Sequence, residues 1–409
     1  MRVQVEQARR RQYPNASDAP AKWLALVSAR LQDVALQLDQ GHVEGDRLKA
    51  ENLLVDINRC YDDLQVLSRA DTTQVADYLV RGLRRWFALA DPDCDYLFTS
   101  GINFEVEPLY DDPPAEISHQ DYEKALAAMP KVLYRVTMPG GALGAGFHIP
   151  LVSHEVGHVL IFRLDRQGED SLIRTLAEPA LTDQDSQKAY ENWIAEIIAD
   201  TICGFIGGPA GFFALHEKLR GGGDTPNTDY PDNYLRVSSL GTYIRDRFQR
   251  VFSARSIEER HWASWPIQSG DYFVNASSGP YMEISRRLAE KLPRIRETAV
   301  SLARRFIPHL EYTPQRFAAD LNSHLKPFLH AIPPFETMGQ VREDLRDRYP
   351  TDLASILNVG WFIAAFALDE LRNSLPLQPM SDGQLLICLD QLILKAIELS
   401  EIRRDWTNA

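Results

Sequence analysis

The stretch HIPLVSHEVGHVL, residues 148–160, sets two histidines and a glutamate inside an otherwise apolar run. Its apolar residues recur at helical spacing, so 150–165 reads as a helix facing a core. Polar groups on such a face cost free energy unless something satisfies them. Residues four apart share a helix face, so His154 and His158 point the same way and can hold one ion. Glu155 lies about 100° further round, placed to reach a water on that ion rather than the ion itself. The competing account is a core helix whose histidines bond to backbone. A third ligand elsewhere in the chain would decide between them.

ENWIAEIIADTICGFIGG, residues 191–208, offers one. Trp193, Ile194, Ile197, Ile198, Ile202, Phe205 and Ile206 cover most of this helix. Glu196 and Asp200 nevertheless sit within it, four apart on one face that Ala199 and Cys203 keep narrow. Carboxylates in a buried helix must be paired or bound to a metal. A catalytic zinc site takes three protein ligands and leaves one position open. His154, His158 and Glu196 supply the three, for one zinc ion per chain. Asp200 then stands in the second shell, accepting the free ring N–H of His154 or His158. Glu169 and Glu178 fall in a polar stretch read as a loop, and Glu191 begins the helix, so all three are weaker ligands. His148 precedes Pro150 and is assigned a pocket or structural role. His216, His261 and His330 have no partner spacing and read as surface or packing residues.

HExxH followed by a helix carrying ExxxD resembles the gluzincin zinc metallopeptidases, the thermolysin-like group. His154, Glu155, His158, Glu196 and Asp200 each match a motif position. The 37 residues between His158 and Glu196 exceed the thermolysin gap. They are closer to the variable gaps of the CAAX-type zinc peptidases and their soluble relatives. Those families often carry an HP…R element further on. TDYPDNYLR, residues 228–236, stands at a similar place, with Tyr230 where the histidine would be. The similarity runs from Lys131 to Arg236. It implies a metallopeptidase in which Glu155 is the general base and Tyr230, Tyr234 or Arg236 stabilises the oxyanion. It also implies that the strand at 131–137 is an edge strand above the HExxH helix, where a peptide substrate pairs by strand addition and Tyr134 lines the cleft.

Around this centre the chain is mostly helical in pattern. Residues 20–38, 48–67 and 75–89 repeat apolar residues every three to four positions. Strands are expected at 96–99, 102–106 and 131–137. Downstream helices are expected at 150–165, 187–206, 209–220, 232–251, 281–306, 314–329, 352–374 and 383–404. The glycine-rich segments at 139–146 and 221–227 read as loops, and 118–129 as a short helix. The resulting fold class is α+β, predominantly helical: a zincin-like catalytic core with a small sheet, at 95–251, between helical regions at 1–94 and 252–409.

Composition narrows the function. The chain has 409 residues, 44% hydrophobic and 25% charged, with a net charge of −13. That charge argues against a general nucleic-acid binder, which needs basic patches for phosphate. Arg81, Arg84 and Arg85 alternate with apolar residues and read as a solvated helix face. Cys60, Cys94, Cys203 and Cys388 form no CxxC pair, so neither a disulfide framework nor a cysteine zinc site is expected. The N-terminus lacks the apolar core of a signal peptide, and the apolar run at 359–368 is too short to span a bilayer. A cytoplasmic enzyme acting on a peptide or protein substrate is the expectation. The alternatives are a regulatory partner-binding protein that retains a zincin domain, or a helical scaffold with a structural metal. A purely structural site has no use for Glu155.

Overall fold

A computed structural model describes residues 2–13, 18–39, 47–70, 76–110, 124–125, 127, 129–130, 132–139, 146–168, 172–178, 181–220, 226–257, 281–330, 352–375 and 380–408. Most of 118–129, with 140–145, 221–225, Glu169 and His261, lies outside these residues. The chain divides into two compact units, Met1–Leu143 and Gly144–Ala409. That division falls at 143, where the sequence pattern puts boundaries at 94 and 251.

Among its described residues, the first unit joins four helices to a small sheet. The helices are α1 (Arg2–Arg10), α2 (Ala19–Asp39), α3 (Arg47–Ser68) and α4 (Asp77–Ala90). The expected periodic runs match α2, α3 and α4 to within about two residues, and α1 is an addition to them. Trp23, Leu26 and Val27 of α2 meet Cys60, Leu64 and Leu67 of α3 in one cluster that also takes in Leu97 and Leu133 of the sheet. On α4, Leu79, Leu83, Trp86 and Phe87 are buried. The arginines of its outer face pair with carboxylates, Arg81 with Asp77 at 3.0 Å and Arg84 with Asp95 at 3.0 Å.

The sheet comprises β1 (Cys94–Gly101), β2 (Glu105–Tyr110) and β3 (Val132–Pro139), in the order β1-β3-β2. β3 runs parallel to β1 and antiparallel to β2. This corrects the expectation of an edge strand at 131–137. With a neighbour on each side, β3 has no free edge on which a peptide could add. Tyr134, expected to line a cleft, is instead buried and stacks on Tyr96 with ring centroids 5.7 Å apart. β2, on the other side of β3, carries Pro108 and an irregular register there, both of which blunt strand pairing.

The second unit is helical among its described residues. A 3₁₀ turn at Gly146–Leu151 leads into α5 (Val152–Arg166). Then follow α6 (Leu172–Ala177), α7 (Gln184–Arg220), α8 (Asn233–Ala254), α9 (Met282–Phe306), α10 (Pro314–Leu329), α11 (Leu353–Phe366), α12 (Leu368–Ser374) and α13 (Asp382–Asn408). α6 occupies part of a stretch read from sequence as loop. The expected helix at 352–374 is two helices, α11 and α12, bent by 93°.

α7 is the centre of this unit, packed by α5, α8, α9 and α11. An 18-residue window of it has mean hydropathy 1.5, long and apolar enough to cross a membrane, yet that window is wholly buried in the protein. The helix breaks at Gly208, whose φ of 57° is the left-handed region glycine tolerates. A Cβ there would also stand 2.3 Å from the Tyr312 ring. The break frees backbone groups that Asn358 of α11 satisfies, donating to Gly207 O at 2.8 Å and accepting from Ala210 N at 2.9 Å.

Candidate metal centre

α5 and α7 cross at a glycine. A Cβ on Gly157 would lie 2.6 Å from the Cα of Ala199, so the two backbones approach closer than any larger residue at 157 permits. That approach turns the histidine face of α5 onto the carboxylate face of α7. His154 Nε2 and His158 Nε2 stand 3.1 Å apart. Glu196 Oε2 is 3.5 Å from His154 Nε2, and Glu196 Oε1 is 3.3 Å from His158 Nε2. These three residues form a mostly buried group that can hold a metal ion. Among the described residues no other set of His, Cys, Asp or Glu converges in this way. His148 stays in the 3₁₀ turn, and Glu191 accepts a hydrogen bond from Gln187 at 2.7 Å, away from the cage.

Behind the cage lies a second layer. Asp200, fully buried, sets Oδ1 at 2.8 Å from His154 Nδ1. Arg236, on the first turns of α8, grips Asp200 with two hydrogen bonds, Nε to Oδ2 and Nη2 to Oδ1, both 2.8 Å. Its Nη2 is also 3.1 Å from Glu196 Oε2. The sequence pattern made Arg236 an oxyanion candidate. In the fold its fork engages the Asp200 and Glu196 carboxylates, and its side chain is 7% exposed.

Glu155 is buried on α5 beside His154. Tyr230 follows a pinned turn. Asn227 Oδ1 accepts from the backbone N–H of Asp229 at 2.8 Å and of Tyr230 at 2.9 Å, an Asx turn. Trp193 Nε1, one turn before Glu196 on α7, donates to Asn227 O at 2.8 Å, and Asn192 Nδ2 donates to Thr228 O at 3.2 Å. The Tyr230 ring centroid then lies 6.0 Å from the Arg236 guanidinium carbon, and the residue is 49% exposed. Tyr234, also exposed, gives its backbone N–H to the helix cap Asp232 at 2.6 Å. The Asn227 turn and the Gly157–Ala199 crossing are the parts of the site that sequence reasoning missed. The glycine inside HEVGH and the small residue at 199 are the signals that point to the crossing.

The electrostatics follow from burial and pairing. Burial alone would depress the His154 pKa, but Asp200 and Glu196 outweigh it and raise it to about 9. Burial would raise Glu196 and Asp200; Arg236, and then His154, hold both below the usual carboxylate range, Glu196 well below. Arg236 is correspondingly raised by the two carboxylates against its own burial. Cys203, one turn beyond Ala199, is pushed by burial up to about 12 and stays a thiol, and all four cysteines are free. With this geometry in hand, comparison with known proteins adds nothing further: no family model, no curated protein and no solved structure matches the chain.

Proposed function

We propose that this protein is a zinc-dependent peptidase of the gluzincin kind, with His154, His158 and Glu196 as the zinc ligands. The observation that carries this reading is the convergence of the two imidazole nitrogens and the Glu196 carboxylate at ligand spacing. Tetrahedral ligands about 2.0–2.1 Å from zinc stand about 3.3 Å from one another. The two imidazole Nε2 atoms stand 3.1 Å apart, and each has one Glu196 oxygen close by, Oε1 at 3.3 Å from His158 and Oε2 at 3.5 Å from His154. Two imidazole nitrogens with one carboxylate form a donor set suited to zinc, and three protein ligands leave the fourth position for a water. A closed structural site would use four. In this place zinc supplies Lewis acidity and lowers the pKa of a bound water to about 7.

The chain's own residues divide the remaining work. Asp200 receives the Nδ1–H of His154 and so directs Nε2 at the ion. Glu155 accepts the proton of the attacking water and delivers it to the leaving amine. Tyr230, held by the Asn227 turn with its ring 6.0 Å from the Arg236 guanidinium carbon, donates its hydroxyl to the developing oxyanion. Peptide bonds are the substrate class that the resemblance of HEVGH and EIIAD to the gluzincin pattern supports. The test is a peptide-library digest read by mass spectrometry, comparing zinc-loaded wild type with Glu155→Gln. Wild type should cleave, and Glu155→Gln should cleave at least about a hundredfold more slowly with unchanged zinc content. Equal cleavage by the two proteins would remove Glu155 from the mechanism.

A further inference from the structure

The buried charges of this centre do not balance without a cation. Glu155, Glu196 and Asp200 are each at least nine-tenths buried, and Arg236 is the buried cation that contacts two of them. With neutral imidazoles the sum is −2, which a divalent ion brings to zero. Without Arg236 the sum would be −3. Glu196 and Asp200 sit one turn apart on the same face of α7, so they repel whenever nothing positive lies between them. A guanidinium matches this need, because its planar fork binds one carboxylate through two donors and reaches a second with the same nitrogen. The fork grips Asp200, which faces His154 Nδ1, and its Nη2 reaches Glu196 Oε2 at 3.1 Å.

We propose that Arg236 is the resident counter-ion of the metal centre, holding Glu196 and Asp200 in ligand geometry when no metal is bound, so that once its imidazoles are deprotonated the cage is the two charges short that a divalent ion completes. This rests on His154, His158 and Glu196 being metal ligands. Arg236 is then a positioning residue rather than an oxyanion donor, and the metal-free chain folds with its cage already formed. Breaking a buried ion pair by removing one partner is strongly destabilising, because it strands the other charge.

The experiment compares thermal unfolding and zinc content of wild type, Arg236→Gln, Arg236→Lys and the double variant Asp200→Asn/Arg236→Gln, each metal-free and zinc-loaded. Metal-free Arg236→Gln should melt about 6–20 °C below wild type. Zinc should return much of that loss, and Arg236→Lys, which keeps the charge without the fork, should fall between. The double variant, with one carboxylate neutralised, should melt above Arg236→Gln; it also carries the test where the single variant does not fold metal-free. Arg236→Gln that melts with wild type, or a double variant no better than Arg236→Gln, would overturn the proposal. So would Arg236→Gln that keeps its melting temperature and zinc while losing turnover alone, which would return the arginine to the oxyanion. A wild type that takes up no zinc would instead defeat the metal reading, while the metal-free comparison still judges the ion pair.

Discussion

Gly157 of α5 and Ala199 of α7 meet backbone to backbone: a Cβ at 157 would stand 2.6 Å from the Ala199 Cα and 3.0 Å from its Cβ. Carbon atoms pack best at about 3.5–4.0 Å, so a methyl group here forces the helices apart. Gly157→Ala should therefore act on metal binding through distance alone, without touching a ligand. We expect a stability loss of about 1–3 kcal/mol and zinc affinity lower by about 10–100-fold, the range for supporting-shell changes. Chemical denaturation and a competitive zinc titration would measure both. Unchanged zinc affinity would mean that the crossing does not set the cage.

On the proposed reading His158→Ala should lose zinc and activity together, since it removes one of the three proposed ligands. Asp200→Asn keeps the ligand set but loses the charge that faces His154 and Arg236 at 2.8 Å. Its zinc affinity or activity should fall about 10–100-fold, between His158→Ala and Glu155→Gln in its effect on metal content. Metal analysis of the purified variants checks the order. Asp200→Asn with full zinc affinity would place Asp200 outside the second shell.

Proton competition gives a pH prediction. In the metal-free chain His154 is raised from its ordinary value to about 9. Its folded pKa exceeds its unfolded one, so its contribution to metal-free stability is fully present below about 6.5 and is lost as pH rises through about 9. Metal binding needs Nε2 deprotonated, so apparent zinc affinity should climb as pH rises toward about 9, with about one proton released by His154 per ion near neutral pH. Calorimetry in buffers of different ionisation enthalpy reads the proton count. Zinc uptake without proton release at neutral pH would contradict it.

Much of this was legible in the sequence because the relevant signals are local. His154 with His158, and Glu196 with Asp200, declare their shared faces by i,i+4 spacing, and charge inside an apolar helix demands a partner. Gly207-Gly208-Pro209 marks the break in α7, which lies between the two helices expected at 187–206 and 209–220. What stayed hidden depends on distant contacts. Strand order cannot be read from 131–137 itself, because the pairing that makes β3 central comes from residues 94–101 and 105–110. The partner of Arg236 stayed hidden for the same reason: Asp200 lies 36 residues away and shares no periodicity with it. The 93° bend after α11 leaves an apolar pattern that runs on through 366–368 unmarked by proline or glycine.

The most direct test of the central claim is X-ray absorption at the zinc K edge on the zinc-loaded wild-type protein. The expected centre holds one zinc with four nitrogen or oxygen ligands at about 2.0–2.2 Å, two of them imidazoles, and no sulfur. Loss of one imidazole in His158→Ala would identify the ligand. A chain that binds no zinc, or a sulfur shell near 2.3 Å that moves the ion to a cysteine, would contradict the account.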